Sequence, residues 1–304
     1  IDASLNRGIS IGSGTRITNS MEVKESFVET ALFKTTIGVH SIEEFIDGVY
    51  LYRKGEMEFG NEEEINNIGT NLAFYYLREA QYFLRDLWGI KDNSTYVRDG
   101  FLVFYHQEIE DGLTYKASVS AIYTNARALR GYTTFSREEI SAAAKIYNES
   151  KSEKFDGSDK YKIPQFNHFY KKKSPGRMTS AEYFTLSARS NPAIPMKIVL
   201  YCTALESLFS TDTSEVGHKV GERVAMLLGT SSEHKNSLYK FFKNAYSQRS
   251  AIVHGSTVRK SESELADISQ ELDGILRELL VEQHEVFLKS PGEIDDFFLN
   301  LLLT

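Results

Sequence analysis

The chain has 304 residues, of which 41% are hydrophobic and 25% charged, and a formal net charge of −7. That length fits two domains or one large one, and the acidic balance excludes broad electrostatic adhesion to nucleic acid, so any such site must be a local patch. The single cysteine, Cys202, excludes an intramolecular disulfide and any multi-cysteine metal site, and no apolar run reaches the roughly 18–20 residues of a membrane span. The opening Ile1-Asp2-Ala3-Ser4, with neither Met nor an apolar signal core, reads as a processed start, and the chain as cytoplasmic.

Residues 1–25, with Gly8, Gly12, Gly14 and many Ser and Thr, read as a flexible lead-in. From Phe27 to Tyr52 short β-branched runs alternate with turns and predict strands. The acidic start Glu62-Glu63-Glu64 suits the positive end of a helix dipole. After it, Ile65, Ile68, Leu72, Tyr76, Phe83 and Leu87 recur at three- and four-residue steps and predict a helix. Phe101–Tyr105 and Leu113–Tyr123 read as paired strands around a Glu110-Asp111-Gly112 turn. Ser136-Arg-Glu-Glu139 is a capping box opening a helix to about Asn148. Residues 26–160 thus form a mixed α/β domain, a candidate sensor or regulator. Residues 150–178, with Ser, Lys, Asp, Gly, Pro164 and Pro175, break the periodicity, and 161–178 form a linker in which Lys171-Lys172-Lys173 reads as a solvated run rather than an RNA contact.

Residues 179–304 read as all helical, with helices near 179–190, 194–210, 214–229, 233–254 and 262–289 and stops at Gly229 and Gly255. The last carries a stripe of Leu265, Ile268, Leu272, Ile275 and Leu279. The expected class is an α+β N-terminal domain followed by an all-α bundle, predominantly helical overall.

The chain has no phosphate-binding GxxxxGK[ST] loop, no HExxH, no GxSxG and no cysteine–histidine cluster, so no metal and no cofactor is expected. What remains is Tyr246-Ser-Gln-Arg249-Ser-Ala-Ile-Val-His254-Gly255. At roughly 100° per residue Leu238, Phe242, Ala245 and Ile252 make one apolar face with Arg249 at its middle. A guanidinium there needs a partner, and Glu206 is the natural one, which leaves a plain Arg–Glu strut as one reading. His254 falls about 140° away, on a polar face with Lys240, Lys243, Ser247 and Ser250. Between 235 and 260 stand Lys235, Lys240, Lys243, Arg249, Arg259 and Lys260 and no acidic residue, the local patch that RNA would require. Tyr246 and Tyr239 either stack on bases or fill the core. A second match to the same spacing, Arg277 and His284, reads as two exposed residues on the last helix.

Together with Lys197–Phe209 and Gly221–Gly229, this stretch resembles the HEPN superfamily, most closely its Apea-like branch, over roughly residues 178–290. The resemblance implies a helical bundle and a metal-independent endoribonuclease whose catalytic residues are Arg249 and His254. The ribose 2′-hydroxyl would serve as nucleophile. It also implies a homodimer through the C-terminal domain, with a composite cleft for RNA. Further expectations from it are a toxin or antiphage (abortive-infection) role and an antitoxin or trigger protein as partner. Glu206, Ser250 and Tyr246 would support the site, and Lys240, Lys243, Arg259 and Lys260 would bind RNA. Ser250 departs from the Asn frequent after the Arg in that superfamily. The alternative implied by the same resemblance is a catalytically inactive binding or dimerisation module serving a partner protein or nucleotide.

Overall fold

The computed structural model describes residues 7–12, 14–28, 48–56, 62–106, 109–120, 122–154, 176–214 and 216–303. The chain is predominantly helical, with an α+β N-terminal part and a helical C-terminal bundle. It divides into two compact units: residues 1–91, 96–122 and 134–165 form the first, and 92–95, 123–133 and 166–304 the second.

The first unit is organised on one long helix. Strands β1 (Ile9–Gly12), β2 (Thr15–Thr18) and β3 (Tyr50–Arg53) form an antiparallel sheet in that order, with helix α1 (Met21–Val28) between the last two in sequence. Helix α2 (Glu62–Ile90) is followed by the hairpin β4 (Asp99–His106) and β5 (Ile109–Ser118), then by α3 (Arg137–Lys154). The two ends of α2 serve different neighbours. Phe83, Leu84 and Leu87 pack with Ile11 and with Ala143, Ala144 and Tyr147 of α3, whereas Ala73 and Leu77 pack with Ala117 and Val119 of the hairpin strand. A Cβ on Gly69 would fall 2.5 Å from the Tyr115 ring, so this helical glycine lets the hairpin lie against α2.

Three expectations for this unit are corrected. The lead-in is not a flexible tail over its whole length, because residues 9–12 and 15–18 pair as β1 and β2 and bury Ile11. The Asn148 amide of α3 donates to the Ile11 carbonyl at 3.0 Å, and Gly12 at φ +101 supplies the backbone bend that brings the strand past it. The ladder of the hairpin continues to the pair His106 and Ile109, so Glu110, Asp111 and Gly112 belong to β5 and not to a turn. A register shift between Phe104 and His106 takes up these residues within the strand. Of the stretch Phe27–Tyr52 expected as strands, Phe27 and Val28 instead end α1 and β3 lies at the far end, while residues 29–47 lie outside the described residues. The capping box holds: Ser136 Oγ accepts from the Glu139 N–H at 3.2 Å and Glu139 Oε2 from the Ser136 N–H at 2.7 Å. Most of the linker, with Lys171–Lys173, is also outside the described residues.

The second unit holds α4 (Arg177–Ser190), α5 (Ile194–Phe209), α6 (Val216–Leu228), α7 (Ser232–Val253), α8 (Glu262–Glu282), a 3-10 turn (Glu285–Leu288) and α9 (Pro291–Leu303). Helix α5 is its hub, packing on α4, α6, α7 and α8. Its Ile198, Tyr201, Cys202, Leu205, Leu208 and Phe209 are fully buried. The expected stripe on α8 is the buried one, but the helix stops at Glu282 rather than near 289. Gln283 takes a left-handed conformation (φ 48), and the His284 side chain caps the following 3-10 turn by accepting from the Val286 N–H. Pro291 then opens α9, a helix that the sequence reading did not separate. Among the described residues no helix is long and apolar enough to cross a membrane.

Candidate functional site

Helix α7 presents the motif, and its ends are well specified. Ser231 caps the N-terminus by accepting from the His234 N–H at 3.2 Å. At the other end the Ser256 N–H donates to the Ala251 carbonyl at 2.8 Å and the Gly255 N–H to that of Ile252 at 3.4 Å. With Gly255 at φ +67 this is a Schellman stop, and it sets His254 at the C-cap position (φ −93, ψ 6). Leu238, Phe242 and Ala245 form the buried face. Two glycines of α6 admit that face at close range: a Cβ on Gly217 would stand 2.9 Å from the Tyr246 ring, and one on Gly221 3.0 Å from Phe242 Cβ.

On the α5 side, Arg249 Nη2 lies 3.4 Å from Glu206 Oε1 and 3.5 Å from Oε2, with 30% of the arginine and 20% of the glutamate side chain exposed. The pair is thus half open. Burial pushes the Glu206 carboxyl up, and the Arg249 guanidinium opposes that shift. Tyr246 Oη donates to the Cys202 carbonyl at 3.4 Å, and burial holds the Tyr246 phenol and the Cys202 thiol above their ordinary ranges. Tyr246 is therefore a packing residue between α5, α6 and α7. Cys202 is fully buried, so its thiol is not a surface nucleophile.

The other motif residues face outward. His254, Ser250, Lys240 and Lys243 are exposed along α7, and Arg259 is exposed in the connection to α8. Lys260 is partly engaged, its ammonium 3.2 Å from Glu264 Oε1. The fold thus brings Arg249, Glu206 and Tyr246 together on the α5 side of α7 and leaves His254, Ser250 and the lysines on the solvent side.

A second polar constellation escaped the sequence reading. At the junction of α4, α5 and α8, Arg189, Lys197, Tyr201 and Asp273 have no exposed surface at all. Tyr201 Oη donates to Asp273 Oδ1 at 2.8 Å, Arg277 pairs with Asp273 Oδ2, and Lys197 Nζ donates to the Ala188 carbonyl at 3.0 Å. Arg189 stacks 4.7 Å above the Tyr123 ring and donates to the Asn93 carbonyl at 3.1 Å. Asp92 accepts from the Ala126 N–H at 3.0 Å. Burial drives the Lys197 amine down to about 8 despite Asp273, lowers the Arg189 guanidinium, and raises the Asp92 carboxyl with help from Asp273. The Tyr201 phenol is raised by burial and then by Asp273.

This corrects the plain reading of Arg277 and His284 as exposed helix residues. Arg277 is partly buried against Asp273, and His284 stands beyond the helix end, its ring against Phe297 and Phe287. A signal for the buried cluster was present: Arg189 follows Ala181, Thr185 and Ala188 on the inner face of α4, and Asp273 follows Ile268, Ser269 and Leu272 on that of α8. Among the described residues no group of three or more His, Cys, Asp or Glu side chains is placed to hold a metal ion. No family model, curated protein or solved structure matches the chain.

Proposed function

We propose that the helical unit is a metal-independent endoribonuclease of the HEPN type, acting in the cytoplasm as a toxin or antiphage effector under an antitoxin or trigger protein. The observation that carries this reading is the division of α7. A half-open Arg249–Glu206 pair lies on one side, and on the other an exposed face with Lys240, Lys243, Ser250 and His254, with no acidic residue between 235 and 260. Arg249 would stabilise charge on the phosphorane, and His254 would move the proton between the 2′-hydroxyl, the solvent and the leaving 5′-oxygen. Attack of the 2′-oxygen on its own phosphate gives a 2′,3′-cyclic phosphate and a 5′-hydroxyl end. Because the two side chains leave α7 on different sides, a second copy completes the site, with Arg249 of one chain opposite His254 of the other. Arg259 extends the basic track.

The test is cleavage of total cellular RNA in EDTA by the full chain and by His254→Ala. Cleavage by the parent alone, with 5′-hydroxyl products, is the expected result. Equal cleavage by His254→Ala overturns the catalytic assignment.

The half-burial of Arg249 favours a second reading, an inactive binding or dimerisation module in which Arg249 and Glu206 form a strut. It predicts that Arg249→Ala destabilises the fold while His254→Ala changes nothing, and that the parent leaves RNA intact.

A further inference from the structure

Residues 125–132 of the helical unit form a loop that is rigid by construction and apolar at its tip. Asn125 closes it: its Oδ1 accepts from the N–H groups of Arg127 (3.0 Å) and Leu129 (2.9 Å), and its own N–H donates to the Leu129 carbonyl at 2.9 Å. Four anchors tie the loop down. Ala126 N–H donates to Asp92, the Ala126 carbonyl accepts from buried Ser269 Oγ at 2.6 Å, Arg127 pairs with Asp267 and Gln270, and Gly131 N–H donates to Ser94 Oγ at 3.1 Å. To close this way Ala128 adopts φ 61, a left-handed conformation that costs a β-carbon residue free energy.

That strained frame holds three side chains outward. Leu129 is 59% and Tyr132 109% exposed, with Arg130 exposed between them. A tyrosine and an arginine, fixed in advance, are residue types that carry binding energy at protein interfaces, and Leu129 adds apolar area beside them. The helix that anchors the loop supplies the charge. On α8 the exposed residues Asp267, Glu271, Glu278 and Glu282 recur at i, i+4, i+11 and i+15, one face of the helix. A polyanion is repelled by that stripe, whereas a basic surface is attracted to it.

We infer that the 125–132 loop and the acidic stripe of α8 form a docking surface for a protein partner. The partner would cover Leu129 and Tyr132 with an apolar face and set basic residues against Glu271 and Glu278. This surface is independent of α7 and of any nuclease activity.

The probe is a fluorescent, short amphipathic helical peptide of leucine and lysine, with a leucine–glutamate peptide and a single-stranded RNA alongside. Binding to the full chain is read by anisotropy at physiological salt. The leucine–lysine peptide is expected to bind, and the double variant Leu129→Ser, Tyr132→Ser to weaken it by about tenfold, with an unchanged thermal midpoint because both side chains are exposed. Glu271→Lys combined with Glu278→Lys is expected to weaken it as well. Four results overturn the inference: no binding of the leucine–lysine peptide, equal binding by the loop variant, equal binding of the leucine–glutamate peptide, or RNA as the probe whose binding the loop variant loses.

Discussion

Helix α5 carries two charged groupings that solve the same problem in opposite ways. Near its N-terminal half, Lys197 and Tyr201 join Arg189 and Asp273 in a cluster sealed from solvent. One turn beyond Tyr201, Glu206 faces Arg249 in a pair that keeps part of both side chains exposed. Sealed charges need nearly complete partnering, because desolvation of an ion is offset only by close opposite charge and hydrogen bonds. A half-open pair tolerates longer contacts, and its cation stays within reach of an incoming anion. The sealed cluster is thus suited to holding the bundle in one arrangement, and the open pair stays accessible, as the proposed nuclease requires.

The comparison breaks most readily at Asp273. Asp273→Ala removes the acceptor of Tyr201 and the counter-ion of Arg277 at once, leaving buried cations behind. A loss of about 3–5 kcal/mol is expected in urea unfolding of the helical unit. A loss below about 1 kcal/mol would mean that the cluster relaxes into water and is not sealed.

A smaller effect sharpens the picture through pH. The Lys197 amine falls to about 8 in the folded chain, below its unfolded value of 10.5, so the folded state binds fewer protons between those values. Burial of the charged amine weakens the fold below pH 8, and that penalty fades as pH rises from about 8 toward 10.5. Stability should therefore climb over this window in the parent, and the climb should disappear in Lys197→Met. Unfolding midpoints at pH 7 and 9.5 decide it.

The smallest effects belong to the open side. Arg249→Ala leaves Glu206 half-buried without its cation and is expected to cost about 1–2 kcal/mol, because solvent screens the pair. His254→Ala, at an exposed C-cap, should fall within about 0.5 kcal/mol of the parent. An Arg249→Ala loss as large as that of Asp273→Ala would place the pair among the sealed charges.

Much of the fold is legible in the sequence wherever a long amphipathic period or a cap is present. Helices α2 and α3 and the five helices from α4 to α8 follow their stripes, the Ser136 box and the Gly229 and Gly255 stops. Strands β1 and β2 are hidden because they are four residues each and stand among Gly and Ser residues that resemble a loop, and the Asn148 bond to Ile11 comes from a partner distant in sequence. The end of α8 is hidden because its left-handed residue is Gln283, where a glycine is the ordinary signal. On α7 the exposure of Lys240, Lys243, Ser250 and His254 follows from angular position, and the pairing of Arg249 with Glu206 from a buried cation's need for an acid, met at the edge of the apolar stripe of α5. The sealed cluster does not, because its members come from Asp92, Asn93 and Tyr123 as well as from the helices, and periodicity within one helix carries no information on partners so distant in sequence.

That distance also sets the order of events during synthesis. The bond from Arg189 to Asn93 spans 96 residues, and that from Ser269 to the Ala126 carbonyl spans 143. Residues 92–95 and 123–133 leave the ribosome long before α8 exists, so Ala126 waits in water for a partner made 143 residues later. Such non-local closure is slow compared with local helix formation. The helical unit should accordingly lock only after translation has passed Asp273, and a nascent chain stopped short of α8 should expose the whole cluster to protease.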